Sequence, residues 1–245
     1  VHETATLCVL FFAIAALYGS VGHAGASGYL AVMALVGVAP AQMKPTALVL
    51  NIAVATIATL NFRRAGVFYP RQVLPLVLTS VPMAFLGGMA RPEATWYRPL
   101  VAAVLVVAAS RALFRPQPAA GSAPAPAVPW PAALALGAVI GGLSGLTGTG
   151  GGIFLSPVVI AMGWATVRQS AGLSALFILL NSIAGLAGHA ASMPALGVHT
   201  FALLAAASAG GFLGSALGAQ RLPERPMSAA LALVLLIAAA KLVWA

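Results

Sequence analysis

Five glycines and two threonines crowd into the eight residues GLTGTGGG, Gly145 to Gly152, and they stand inside apolar sequence. Glycine lets a chain leave the helix and lets other groups approach its backbone. Unwound backbone at membrane depth is tolerated only where protein buries it or where it lines a wet cavity. An opened stretch here exposes consecutive amides, and a helix resuming near Ile153 aims its positive end at them. Free amides plus a helix N-terminus bind anions without any charged side chain. Gly150, Gly151 and Gly152 supply the amides in this reading, and Thr149 and Ser156 add hydroxyl donors. Pro157 falls early in the new helix, where its missing donor costs little. The competing reading is structural: small residues also let membrane helices pack closely.

A weaker copy, GSVGHAGASG, runs from Gly19 to Gly28. It carries His23 where the other has Thr149, and Ala24 and Ala26 where the other has Gly150 and Gly152. Ser27 and Gly28 permit a break there, and His23 either donates to an anion or bonds to a carbonyl in the packed interior. Asn51 and Asn181 occupy matching places in apolar helices. An amide in hydrocarbon needs a partner, so each either braces the unwound backbone of its own half or contacts substrate. Asn61, beside Arg63 and Arg64, reads as an end cap.

Composition excludes much else. The chain has 245 residues, 61% hydrophobic and 6% charged. Soluble domains carry about 25% charged residues, so this is an integral membrane protein whose main partner is the lipid bilayer. Its net charge is +9, but the basic residues stand singly between apolar spans, which excludes a nucleic-acid surface. Their placement suits topology signals and anionic lipid, and their field favours anions. The three carboxylates, Glu3, Glu93 and Glu224, lie near termini or loops, which disfavours a carboxylate proton relay or a sodium site. Proton coupling would then fall to His23 or to the substrate itself. Cys8 is alone, so neither a disulfide nor a cysteine metal cluster is expected. No strand precedes the glycine string and no P-loop lysine follows it, so no nucleotide or other cofactor is expected. Glu3 and the lack of Lys or Arg ahead of the first apolar stretch argue against a signal peptide.

The elements that must position these residues form two similar series. Apolar segments fall at 5–18, 26–38, 45–62, 72–90 and 96–114, then at 131–147, 152–163, 168–188, 198–218 and 226–245. Residues 115–130 read as a Pro/Ala linker. ALVLN ending at Asn51 stands opposite FILLN ending at Asn181, and FLGG from Phe85 opposite FLGS from Phe212. The expectation is an all-α polytopic bundle of two homologous repeats, 1–114 and 131–245, each opening with a glycine-broken helix pair. If each broken pair is a hairpin that enters and leaves on one side, the halves are inverted. One side then holds Arg63, Arg64, Arg71, Arg111, Arg115, Arg168, Arg221 and Arg225, and the other Lys44, Arg91, Arg98 and Lys241. The positive-inside rule prefers that asymmetry to the even split of parallel halves. Segments 26–38 and 152–163 are also short for a full crossing, which takes about 20 residues. Trp96, Tyr97, Trp130, Trp164 and Trp244 stand at segment ends, as interfacial anchors do.

The string GGLSGLTGTGGGIFLSPVV, its degraded earlier copy and the polar-interrupted helix after each resemble the sulfite exporter TauE/SafE family of membrane proteins. The resemblance covers nearly the whole chain. It implies transport of sulfite, organosulfonates or related small sulfur-containing anions across the bacterial cytoplasmic membrane. Substrate would bind between the halves at His23, Ser27, Asn51, Thr149, Gly150, Gly151, Gly152, Ser156 and Asn181. Two other classes compete with this. GLSG, Gly142 to Gly145, has the form of an intramembrane serine hydrolase motif, which would need Ser144 within hydrogen-bond reach of His189. A channel or a non-transporting membrane subunit is the third.

Overall fold

The computed structural model describes residues 2–67, 70–90, 106, 128–190 and 200–244. Segment 96–114 apart from Val106, nearly all of the linker, Gly197, Val198 and His199 lie outside the described residues, as do Arg91, Glu93, Trp96, Tyr97, Arg98, Arg111 and Arg115.

The chain is an all-helical, multi-pass membrane protein, with no strand among the described residues. The first series gives α1 (His2–Ser20), α2 (Ala26–Leu35), α3 (Pro40–Arg64) and α4 (Pro70–Met89). The second gives α5 (Trp130–Thr147), α6 (Gly152–Ala161), α7 (Val167–His189), α8 (Thr200–Gln220) and α9 (Glu224–Trp244). Five of them are long and apolar enough to cross a bilayer: α3, α4, α5, α7 and α8. The helices α2 and α6 have 10 residues each, too few to cross at about 1.5 Å per residue.

The first short helix folds back beside the one before it. In the first pair Ser27 donates to the Tyr18 hydroxyl at 2.9 Å, and Tyr29 stacks on Phe11 with ring centroids 4.9 Å apart. As α2 advances, its partners recede along α1, so the pair is an antiparallel hairpin.

Lipid tails are as apolar as leucine, so close packing rather than water exclusion holds such helices together. Glycines at every fourth position do this twice. Gly137, Gly141 and Gly145 of α5 lie on the carbonyls of Leu76, Ser80 and Ala84 of α4, where a Cβ would overlap each oxygen. Gly210, Gly214 and Gly218 of α8 lie in the same way on Phe12, Ala16 and Ser20 of α1. Residue numbers rise together in both pairs, so both pairs run parallel. By contrast, α3 and α7 cross antiparallel. Leu48 packs on Gly185, Asn51 reaches Ser182, and the Val67 carbonyl after α3 meets Gly172 near the start of α7.

Three local expectations need correction. Asn61 is not an end cap: its amide donates across to Ser215 Oγ at 2.8 Å and to the Phe212 carbonyl at 3.3 Å, tying α3 to α8. A buried amide gains more from a neighbouring helix than from a helix end. Trp164 is not an interfacial anchor but is buried in the apolar core, packed in the turn between α6 and α7. Pro157 sits in the interior of α6, because the helix already starts at Gly152. Trp130, at the start of α5, is exposed as an anchor should be.

Candidate functional site

The two helix breaks meet in the interior. In the second, α5 ends at Thr147 and α6 starts at Gly152, and Gly148, Gly150 and Gly151 between them all have positive φ. Backbone of that hand costs other residues about 1–2 kcal/mol each, which is why the string is glycine. None of the hydrogen bonds among the described residues is donated by the amides of Thr149, Gly150 or Gly151. The first break turns at Gly22 and Gly25, with φ of 74° and 103°. It therefore falls ahead of Ser27 and Gly28, which are already helical. There the Ala24 and Gly25 amides are likewise unused.

Side chains from three other elements converge on the second break. Asn51 of α3 donates to the Thr149 carbonyl at 3.2 Å and reaches Ser182 Oγ of α7 at 3.4 Å. It thus braces the opposite series, not its own. A Cβ on Gly150 would stand 2.9 Å from both Asn51 Nδ2 and Ser182 Oγ, so only glycine admits this brace. The Thr149 hydroxyl shares a 2.8 Å hydrogen bond with Thr147 Oγ1. His23 comes from the first break and lies against Gly152, with its Cδ2 3.0 Å from the site of a Cβ there. Its Nε2 shares a 2.9 Å hydrogen bond with Ser156 Oγ, which in turn shares one of 2.8 Å with Ser174 Oγ. His23 therefore joins the first break to α6 and α7.

Asn181 differs from Asn51. It is completely buried, and neither its Oδ1 nor its Nδ2 has a partner. One turn before it, Phe177 packs on Gly151 and Ile178 on Gly150; one turn after it, Gly185 faces Gly145. Its helix face is thus the one turned to the second break. His23 Nδ1, Asn51 Oδ1 and Ser144 Oγ are also buried without a partner. Buried polar groups are nearly always paired, and here four residues with unmet groups gather around one glycine string.

The sequence reading joined His23, Asn51, Thr149, Gly150, Gly151, Gly152, Ser156 and Asn181, and these do gather here. Ser27 lies at the edge, its hydroxyl spent on Tyr18. Ser174 and Ser182 went unread, although each interrupts the apolar run of α7 and Ser182 adjoins Asn181. Ser144 was singled out for another chemistry. Its Oγ has no hydrogen-bond partner, so the Ser144–His189 pair that a hydrolase needs is not made.

Lys44 stands at one edge. Its stem packs on Gly148, and its ammonium reaches the Gly88 carbonyl at 3.4 Å. Arg168 does the same work in the second series, donating to the carbonyls of Gly218, Ala219 and Leu222 at the end of α8. Cations at helix C-termini offset the exposed carbonyls and the negative end of the dipole. Among the described residues no group of three or more His, Cys, Asp or Glu gathers to hold a metal ion.

Comparison with known proteins places the chain in a family of membrane proteins. The family model for the sulfite exporter TauE/SafE matches residues 7–242. A "Probable membrane transporter protein y4hK" of Sinorhizobium fredii (strain NBRC 101917 / NGR234) is 40% identical over 245 residues, covering 99% of each chain. No solved structure matches.

Proposed function

From its membership of the sulfite exporter TauE/SafE family, we propose that this membrane transporter carries small sulfur-containing anions, sulfite or a sulfonate, across the bacterial cytoplasmic membrane by alternating access. The observation that carries the proposal is the meeting of the two glycine breaks, with unused amides on both and the unpaired amide of Asn181 facing the second. The positive end of α6 and these donors suit an oxyanion. Among the described residues no carboxylate contacts them to repel it. A site built of dipoles has a further advantage for a carrier: full cations would hold a dianion too tightly to release it.

The proposal includes two inverted repeats, 1–114 and 131–245, separated by the linker 115–130. Three pairs of positive-φ glycines support it: Gly22 with Gly148, Gly25 with Gly151 and Gly37 with Gly163, each pair separated by the same interval. The antiparallel crossing of α3 and α7, which are equivalent helices in this scheme, supports inversion. Transport then consists of rocking the α1–α8 pair against the α4–α5 pair around the α3–α7 crossing. Each glycine-lined pair is packed tightly enough to move as one body.

The test is counterflow in proteoliposomes preloaded with sulfite. Labelled sulfite is supplied outside, with sulfate, thiosulfate, methanesulfonate or acetate as competitor. Saturable exchange blocked by a sulfur anion is the expected result. No exchange from folded protein contradicts the substrate assignment, and flux that never saturates contradicts a carrier.

A further inference from the structure

Both donors and acceptors are left unmet at this site, and a bare oxyanion can satisfy only the donors. Asn51 shows why the acceptors are real. Its Nδ2 donates to the Thr149 carbonyl at 3.2 Å, and turning the amide over would set oxygen against oxygen. Its remaining atom is therefore Oδ1, an acceptor, buried without a partner. Asn181 needs no such argument: whichever way its amide turns, one acceptor and one NH2 group are unpaired. Both residues are 0% exposed, so bulk water does not reach either. A fully deprotonated oxyanion beside these two oxygens leaves them unsatisfied and facing negative charge.

We infer that the site selects a monoanion carrying its own hydrogen-bond donor, with hydrogensulfite, a sulfamate or a hydroxy-substituted sulfonate as the class. This rests on the anion site proposed above and narrows it. The sulfonate or sulfite oxygens accept from the unused amides and from Asn181 Nδ2. The ligand's O–H or N–H donates to Asn51 Oδ1 or Asn181 Oδ1. A site built to pair a ligand's donor rejects the analogue lacking it more strongly than an apolar pocket rejects a size difference. Each acceptor left unmet lowers affinity by about tenfold.

Sulfamate and methanesulfonate test this directly. They share shape and a single negative charge, and differ in an NH2 group that donates against a methyl group that does not. Both are titrated as inhibitors of sulfite counterflow in the wild-type protein at one pH, and their binding is read independently by thermal stabilisation of the protein in detergent. Sulfamate is expected to bind about tenfold more tightly or better by both readings. In Asn181→Leu, which removes one acceptor along with an Nδ2 donor that serves both anions alike, the preference in thermal stabilisation should shrink severalfold. Equal binding of the two anions by wild-type protein would overturn the inference while leaving sulfite transport in place; a resident water that meets the two asparagine oxygens gives that result. An absolute need for sodium, with no preference between the anions, would also overturn it, since those oxygens would then be holding a cation. Failure of every sulfur anion to exchange or bind would overturn the parent proposal and this inference together.

Discussion

At the scale of single residues, two asparagines that look alike in sequence differ in what surrounds them. Asn51 has taken a partner, the Thr149 carbonyl, and Asn181 has none. Their substitutions should therefore separate stability from function. Asn51→Leu strands a buried carbonyl and should cost about 1–3 kcal/mol, seen as a lower melting temperature in detergent. Asn181→Leu removes a buried amide that was already unpaired, so the melting temperature should hold or rise while exchange is lost. Gly150→Ala places a Cβ 2.9 Å from Asn51 Nδ2 on backbone with φ of 77°, and counterflow should fall by at least about tenfold. Gly151→Leu, whose side chain would meet Phe177, Ile140 and Ser144, should abolish transport in protein that still inserts into the membrane. Much of this neighbourhood was legible in sequence, because a glycine string and a mid-helix asparagine each break the apolar pattern. That Asn51 braces the opposite series while Asn181 stays unpaired was not legible: it depends on α3 and α7 crossing, a long-range contact that no local pattern encodes. Ser174 and Ser182 were unreadable for a related reason. A serine in an apolar helix is satisfied by its own backbone as easily as by a neighbour.

At the scale of elements, the break and the stripe are two uses of one residue. Gly148, Gly150 and Gly151 serve by their backbone hand, whereas Gly137, Gly141 and Gly145 serve by lacking a side chain on a straight helix. Sequence reading treated the two uses as rivals at the string itself, and Gly145 shows them meeting end to end. The neighbouring pair Gly141 and Gly142 separates packing from helix propensity. A Cβ on Gly141 overlaps the Ser80 backbone, while one on Gly142 meets only the tip of Met83 at 3.8 Å. Gly141→Ala should lower the melting temperature markedly and broaden the gel-filtration peak. Gly142→Ala should leave the melting temperature equal or slightly higher, by the roughly 0.5–1 kcal/mol that alanine gains over glycine in a helix. Helix positions were read within a few residues, since apolar length and Pro/Gly punctuation mark them. The misplacement of Trp164 has a physical cause: the turn after α6 exposes Met162 but directs Trp164 inward, so a segment end in sequence does not fix which way a side chain points.

At the scale of the whole molecule, the packing fixes which helix ends share a side. Arg63, Arg64, Arg168, Arg221 and Arg225 belong to the end where α3 and α8 finish and α7 and α9 start, and Lys44 to the opposite end. That grouping is the one the charge count preferred for hairpin pairs, and we propose from the positive-inside rule that the arginine-rich end is cytoplasmic. Single cysteines in a Cys8→Ser background check it. A membrane-impermeant thiol reagent added to intact cells should label Ala90→Cys and spare Ala65→Cys until the cells are opened. Labelling of Ala65→Cys alone would reverse the orientation, and labelling of both or neither would contradict a full crossing by α4.

The most direct test of the central claim, that the two breaks and Asn181 form the substrate site, is sulfite counterflow by Asn181→Leu beside the wild-type protein, with melting temperatures recorded on the same preparations. The account predicts saturable exchange by the wild type and none by Asn181→Leu, at a melting temperature no lower than that of the wild type. Wild-type exchange rates from Asn181→Leu would contradict it, and the unpaired amide would then have no part in binding the transported anion.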